Sequence, residues 1–558
     1  MASLKSLFHR QESKPANRPF DLNSTHCTQY LTRLLEISQT PQVSIHVEFL
    51  GRPPQAITLH CPTDPPPPTN DPTEGDRDEI YAIASYTKIL INVAFTRLIS
   101  LDEYKHLDLR WDSPACDVFN ALRRQRGKST IKRLFGNPEI GQLLRHVNGF
   151  APMNRYLFAP DGSFIMSEDE FINIGPRLTE EHYKEKYPHR GWVHYSNGNH
   201  IFAGMILQEA TGLDIQGAMQ LLVFDWLGLT HTVMDERSLD ACRSTAEVVP
   251  GYQVLLDKSR RAVDPNTYLS DVVEVASLGA RSSTADLAKL NRAFLQSAVG
   301  GEESRFQRQE MLDFFSHEIE LQSGGAMTMG GMYGSLSSYV PGIESLNRTA
   351  SNKDTKSLYA LGKHPDGSQS PTYYKGGAIN GFCSSVYLLF KDQAFVIVLG
   401  NSSGPIDVTD HMARYILQEA LGLRKHVDVL NSMKEEGLVS SEYLRTIEEE
   451  DRPASEGPQN ITVTESLAGT YQHARFSQQL LIVTPNGGVV VRGQEKASSM
   501  MTLAYVSAQV VRIMPGNAGF GIDRWSAWRD LEFSIVYKAG EVSGLLGNKG
   551  LDLFHRIP

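Results

Sequence analysis

A chain of 558 residues with 54 Lys plus Arg against 64 Asp plus Glu has a net charge of −10 and a sequence pI near 6.0, so no global positive field draws it to nucleic acid. Hydrophobic residues at 41% and charged residues at 21%, with 45 Gly and 28 Pro, exclude collagen, coiled coil and disorder and predict two or more globular domains. Five scattered cysteines, Cys27, Cys61, Cys116, Cys242 and Cys383, form no CxxC or Cys/His cluster and predict buried thiols rather than a disulfide framework or a metal site.

Met1 to Gln11 has basic residues but no apolar core of a secretory signal, and no run approaches the ~18 to 20 apolar residues of a membrane span. With a mean hydropathy of −0.29, the expectation is a soluble, cytoplasmic protein with no membrane partner. Tyr30, Leu31, Leu34, Leu35 and Ile37 fall at helical spacing. Val43, Ile45 and Val47 alternate with Ser44, His46 and Glu48, the period of a half-buried strand. Pro62 to Asp78, with Pro65 to Pro68 in a row, predicts an irregular surface loop, followed by a short strand at Ile80 to Ala84. From Ser85 the pattern turns helical, with Ile89, Leu90, Val93, Ala94, Leu98 and Ile99 on an apolar face.

Further along, Ser323 to Ser338 is rich in Gly, Ser and Met and predicts a mobile loop; its Met327, Met329, Met332 and Tyr333 are either surface-loop residues or the lining of an acyl pocket. Phe382 to Phe390 and Ala394 to Leu399 predict an antiparallel hairpin, and Val408 to Leu421 a closing helix. Glu448 to Asn460 is acidic, Pro-containing and aperiodic, which predicts a linker. Beyond it, Leu480 to Val483, Gly488 to Val491, Ala508 to Ile513 and Leu531 to Tyr537, with a turn at Pro485-Asn486-Gly487, predict a small all-β domain.

The sharpest chemical signal is Ser85-Tyr86-Thr87-Lys88. Spacing of i and i+3 places the Ser85 hydroxyl and the Lys88 amine on one helical face, and the free N–H groups of a helix start favour developing negative charge. This is the pairing that nucleophilic catalysis needs. Further segments follow along the chain: Leu143 to Gly149, Tyr195-Ser196-Asn197, Ser282 to Leu287 and Lys375-Gly376-Gly377.

In this order the motifs resemble those of the serine β-lactamase-related, penicillin-binding-protein-like family, in its class C β-lactamase, esterase and D-aminopeptidase branches. The resemblance covers roughly residues 40 to 425. It implies an α/β (α+β) fold, a β-lactamase/transpeptidase-like antiparallel sheet with a helical lobe. Ser85 would be the nucleophile, Lys88 and Tyr195 would share the proton, with the formal base left open, and a tyrosinate is feasible beside lysines. Asn197 would bind substrate or orient Lys88, Lys375 would supply charge, Gly377 would let substrate approach the strand, and the backbone N–H groups of Ser85 and Ala378 would form the oxyanion hole. No metal or other cofactor is implied. Gly376 departs from the Thr or Ser usual in β-lactamases and peptidases, and Lys375 from the His common in the esterase branch. His146, His194 and Trp192 are expected to be chiefly structural.

Leu467 to Tyr471, with Glu541 to Leu545 and Phe554 to Arg556, resembles the lipocalin-like domain appended to some members of that family. The expected organisation is an extension at 1–40, a catalytic domain at 41–447, a linker at 448–460 and a lipocalin-like β domain at 461–558. The expected function is a serine hydrolase cleaving a small-molecule ester or amide through a Ser85 acyl-enzyme. Its alternatives are an acyltransferase of secondary metabolism, taking an acyl-thioester and acylating an alcohol or amine, and a noncatalytic scaffold.

Overall fold

The apolar stripe of the first helix decides how the chain begins. In the computed structural model α1 spans Thr25–Ser38, its start capped by Ser24, whose hydroxyl accepts from the Cys27 N–H, and Leu31, Leu34 and Leu35 are buried. These leucines share one core cluster with Val43, Ile45 and Val47. The helix, within the segment expected to be an extension, is therefore built into the sheet-and-helix unit.

The structure describes residues 20–63, 78–131, 137–148, 150, 153–158, 164–173, 175, 193–255, 258–263, 269, 273–301, 303–320, 326–335, 361–423, 466–475, 480–485, 488–493, 496–507, 509–515, 531–547 and 552–557. Most of the Pro-rich loop, the linker at 448–460 and Trp192 lie outside them.

Strand β1 (Gln42–Phe49) is buried along nearly its whole length rather than on one face. It is interior to the sheet, pairing antiparallel with β2 (Gln55–His60) and with β8 (Ala394–Gly400). Its alternation still sorts the two faces: Val43, Ile45 and Val47 meet α1 and α5 (Val408–Ala420), whereas Glu48 binds Arg292 of α4 (Thr284–Val299) at 2.6 Å. The full sheet has eight antiparallel strands in the order β2-β1-β8-β7-β6-β5-β4-β3, with β3 at His317–Glu320, β4 at Ala326–Thr328, β5 at Tyr333–Ser335, β6 at Thr372–Ile379 and β7 at Phe382–Leu389.

The predicted hairpin is β7 and β8. The Met-rich segment departs from its prediction: its described part supplies β4 and β5 to the sheet, and Met327, Met329 and Met332 are buried. Glycine and serine hid the strands because the ladder, not side-chain pattern, holds them.

The C-terminal residues close an eight-stranded barrel. Its strands are β9 (Gly469–His473), β10 (Leu480–Val483), β11 (Gly488–Gly493), β12 (Lys496–Ser507), β13 (Val510–Pro515), β14 (Glu532–Lys538), β15 (Glu541–Gly547) and β16 (Asp552–Ile557). Neighbours in sequence pair antiparallel, and β9 pairs with β16 to seal it. Strand β12 escaped the sequence reading because it opens on polar Lys496 to Ser499. Leu467, Tyr471, Phe533 and Phe554 fill the barrel core, joined by Ile165 from the helical lobe. All five cysteines are buried thiols. Among the described residues no helix is long and apolar enough to cross a membrane, and no group of three or more His, Cys, Asp or Glu is placed to hold a metal ion.

Candidate active site

Ser85 sits in a single 3-10 turn, Ala84–Tyr86, between the strand Asp78–Ala82 and helix α2 (Thr87–Ser100). Ala84 has φ of +48°, a left-handed conformation that a residue with a β-carbon adopts at a cost. Hydrogen bonds hold it there: the Thr87 hydroxyl donates to the Ala84 carbonyl at 2.6 Å and accepts from the Ala280 N–H at 3.1 Å, and the Ile83 N–H donates to the Ala280 carbonyl. The turn leaves Ser85 half-buried while its neighbours are fully buried.

Lys88, one turn into α2, is 1% exposed. Its Nζ donates to Ser85 Oγ at 3.2 Å, to Asn197 Oδ1 at 2.8 Å and to the Ser277 carbonyl. Three acceptors within reach of Nζ match the three N–H groups that an ammonium offers. Tyr195 arrives from the chain just before α3 (Asn197–Thr211), and its hydroxyl donates to Ser85 Oγ at 2.6 Å. Two ammonium groups flank the Tyr195 ring, Lys88 Nζ at 4.9 Å and Lys375 Nζ at 5.2 Å from its centroid. Positive charge on both sides favours negative charge on the phenolic oxygen.

Lys375, also 1% exposed, lies on β6 and reaches over Tyr333 of β5 as well, 5.5 Å from that ring. The strand runs close against the Ser85 turn. A β-carbon at Gly377 would lie 2.6 Å from the Ile83 carbonyl oxygen and 2.8 Å from Ser85 N, so only glycine permits this approach. Ser384, opposite Gly377, donates to the same Ile83 carbonyl at 3.1 Å. Ala378 is half-buried and opposite Cys383 on β7. At Gly376 a β-carbon would lie 2.2 Å from the Tyr374 hydroxyl, which gives a physical reason why this position carries no Thr or Ser.

Beneath Tyr195 lies a layer of buried imidazoles and amides. The His146 ring is 4.5 Å from that of Tyr195 and 5.1 Å from that of His200. His146 Nδ1 accepts from the Ser196 N–H at 3.3 Å and faces Asn199 Nδ2 at 3.0 Å, and its carbonyl accepts from the His194 N–H at 2.7 Å. Burial, then the Lys88 and Lys375 charges, hold its pKa well below the ordinary histidine value, so the ring is neutral. His200 is held low in the same way, by burial first and then by His146 and the two lysines. Asn92 of α2 ties this layer together, facing His200 Nε2 at 3.1 Å and donating to the Gly330 carbonyl at 2.7 Å. His194 is partly buried, which lowers its pKa.

The structure thus brings Ser85, Lys88, Tyr195, Asn197, Lys375 and Gly377 into one cluster. Sequence reasoning missed Ser277, Asn92, Asn199 and His200; of these, only Asn92, a polar residue within an apolar helix, left a visible signal.

A family model described as Beta-lactamase matches residues 69–421. The chain is similar in structure to the octameric penicillin-binding protein homologue from Pyrococcus abyssi, at 16% identity and a TM-score of 0.52, covering 94% of this chain and 98% of that one. It is also similar to a class C beta lactamase from Rhodobacter sphaeroides, at 19% identity and a TM-score of 0.48, covering 70% of this chain and 97% of that one. For SurE the values are 15%, 0.48, 95% and 99%. No curated protein matches the sequence.

Proposed function

Because this chain belongs to the beta-lactamase family, whose members' chemistry is of the serine hydrolase or acyl-transfer type, we propose that it cleaves an ester or amide of a small molecule through an acyl-enzyme on Ser85. The observation that carries this reading is the short contact between Tyr195 and Ser85, 2.6 Å, within reach of a fully hydrogen-bonded Lys88.

Tyr195 is the base once its hydroxyl, which donates to Ser85 Oγ at rest, has lost its proton to solvent, and the flanking Lys88 and Lys375 charges favour that phenolate. It takes the Ser85 proton while Oγ attacks the substrate carbonyl, and the carbonyl electrons move onto oxygen. The N–H groups of Ser85 and Ala378 receive that oxyanion. Collapse re-forms the C=O bond and expels the leaving group, which takes the proton from Tyr195. Water then adds to the acyl carbon and gives its proton to Tyr195. Collapse of this second tetrahedral intermediate breaks the bond to Ser85 Oγ, which takes that proton from Tyr195, and the acid, the free Ser85 hydroxyl and the Tyr195 phenolate are released. Lys88 and Asn197 hold the geometry, and Lys375 offers positive charge to the phenolate and to the polar end of the substrate. An alcohol or amine replacing water would turn the same intermediate to acyl transfer. A scaffold would have no need of the assembled Ser85, Lys88 and Tyr195.

The test is turnover of short-chain p-nitrophenyl esters. Ser85→Ala is expected to lower kcat/KM by about 10³ or more, and added alcohol measures the share of acyl groups transferred rather than hydrolysed. Equal activity in the variant rejects the proposal.

A further inference from the structure

We infer that Asn154 is a positioning residue for Asn197, and that the C-terminal barrel holds it in place. The inference rests on the proposed acyl-enzyme chemistry at Ser85, and begins with the polarity of an amide. Asn197 Oδ1 accepts from Lys88 Nζ at 2.8 Å, and its Nδ2 donates to Asn154 Oδ1 at 3.0 Å. An Asn side chain flipped by 180° has the same shape and the opposite polarity. Flipped, Asn197 would turn an N–H toward the Lys88 ammonium. The Lys88 ammonium disfavours this flip, and the carbonyl oxygen of Asn154 disfavours it further by accepting from Nδ2, which keeps one of the three Lys88 acceptors in register with Ser85.

Asn154 begins a single helical turn, Asn154–Leu157. One turn is far too short to persist alone. Within the lobe it is tied by an antiparallel bridge between Phe158 and Phe164, whose rings are 5.3 Å apart, and by the Ile165 N–H donating to the Leu157 carbonyl at 2.9 Å. Met153, Tyr156, Leu157 and Phe158 are also buried in the lobe's own apolar core, and the barrel adds to that support. Ile165 is fully buried in the barrel's own apolar cluster with Leu467, Tyr471 and Phe533. Tyr156, two residues from Asn154, meets His473 of β9 edge to face at 6.1 Å, and His473 meets Phe554 of β16 at 4.8 Å. A continuous series of contacts therefore runs from the barrel core through Tyr156 and Asn154 to Asn197, Lys88 and Ser85. The barrel contributes no reacting group; it sets the orientation of an amide that does touch one.

The test uses the full-length protein, a fluorophosphonate probe, peptide mapping of the labelled serine, and Tm as a control for folding. Asn154→Ala is expected to slow labelling of Ser85 about tenfold, the loss of one partly buried polar contact, and to lower kcat for a p-nitrophenyl ester with KM within about twofold. Asn154→Asp keeps an acceptor for Asn197 and is expected to stay within about threefold of wild type. Tyr156→Leu, which keeps apolar volume but loses the aromatic contact, is expected to slow labelling in the wild-type background and to add nothing to Asn154→Ala. Wild-type labelling rates in a folded Asn154→Ala protein overturn the positioning role. Independent, additive losses for Tyr156→Leu and Asn154→Ala overturn the link to the barrel. A folded wild-type protein that takes no label on Ser85 overturns the nucleophile reading itself, an outcome distinct from either.

Discussion

At the scale of single residues the site is a problem of where protons and side-chain volume fit. His146 and His200 are both neutral in the fold, their proton affinity depressed chiefly by burial. Unfolded, each takes up a proton below its ordinary pKa of ~6.5. At these two rings the unfolded state then binds more protons than the native state, so their contribution to stability is constant above that value and falls as pH drops through it, by up to about 1.4 kcal/mol per pH unit for each ring. Urea denaturation at a series of pH values between ~8 and ~5 is expected to show wild type losing stability relative to a His200→Gln variant as the pH falls below ~6.5. Gly376 gives a second prediction. Its missing β-carbon would sit 2.2 Å from the Tyr374 hydroxyl, so Gly376→Thr is expected to lose about 1 to 3 kcal/mol of stability by overpacking. Adding Tyr374→Phe, which removes the hydroxyl, is expected to recover part of that loss in the same denaturation assay.

Between elements, the nucleophile depends on how α2, α3 and β6 are held together. Helix α3 is anchored at its far end by Glu209, which is buried and lies 3.1 Å from Arg123, 2.8 Å from Lys128 and 3.7 Å from Arg126. Arg123, on the helix Ala115–Gln125, is itself buried and retains Glu168 at 2.9 Å as a second partner. Glu209→Ala leaves a buried guanidinium half-compensated and is expected to cost about 2 to 3 kcal/mol, below the full value for breaking a buried pair; thermal denaturation reads it as a lower Tm. The elements carrying strong periodicity are legible in the sequence alone: α1, α2, the β7–β8 hairpin and α5 lie where their apolar spacing puts them. Strands β4, β5 and β12 are not, because Gly, Ser and Met carry little pattern and it is the neighbouring ladder that makes them strands. The site divides in the same way. Ser85 and Lys88 are three residues apart and can be read directly, whereas the Ser277 carbonyl reaches Lys88 across 189 positions and Asn154 reaches Asn197 across 43. Contacts of that kind are products of tertiary packing and leave no local trace.

For the whole molecule, the eight-stranded sheet, its helical lobe and the closed barrel form a chain of supports that ends on one serine. The sheet fixes β6 so close to the Ser85 turn that only glycine fits at 377, the lobe brings Tyr195 and Asn197, and the barrel meets the helical turn that carries Asn154. All of this is economical if Ser85 becomes covalently acylated and superfluous if it does not. Mixing the full-length protein with a short-chain p-nitrophenyl ester and taking intact and peptide masses during turnover decides between the two. The expected result is an acyl adduct confined to the peptide that contains Ser85, formed and consumed as p-nitrophenol is released, and absent from Ser85→Ala. Ester turnover with no adduct at any time, or the same adduct on another residue in wild type and variant alike, would contradict the central claim.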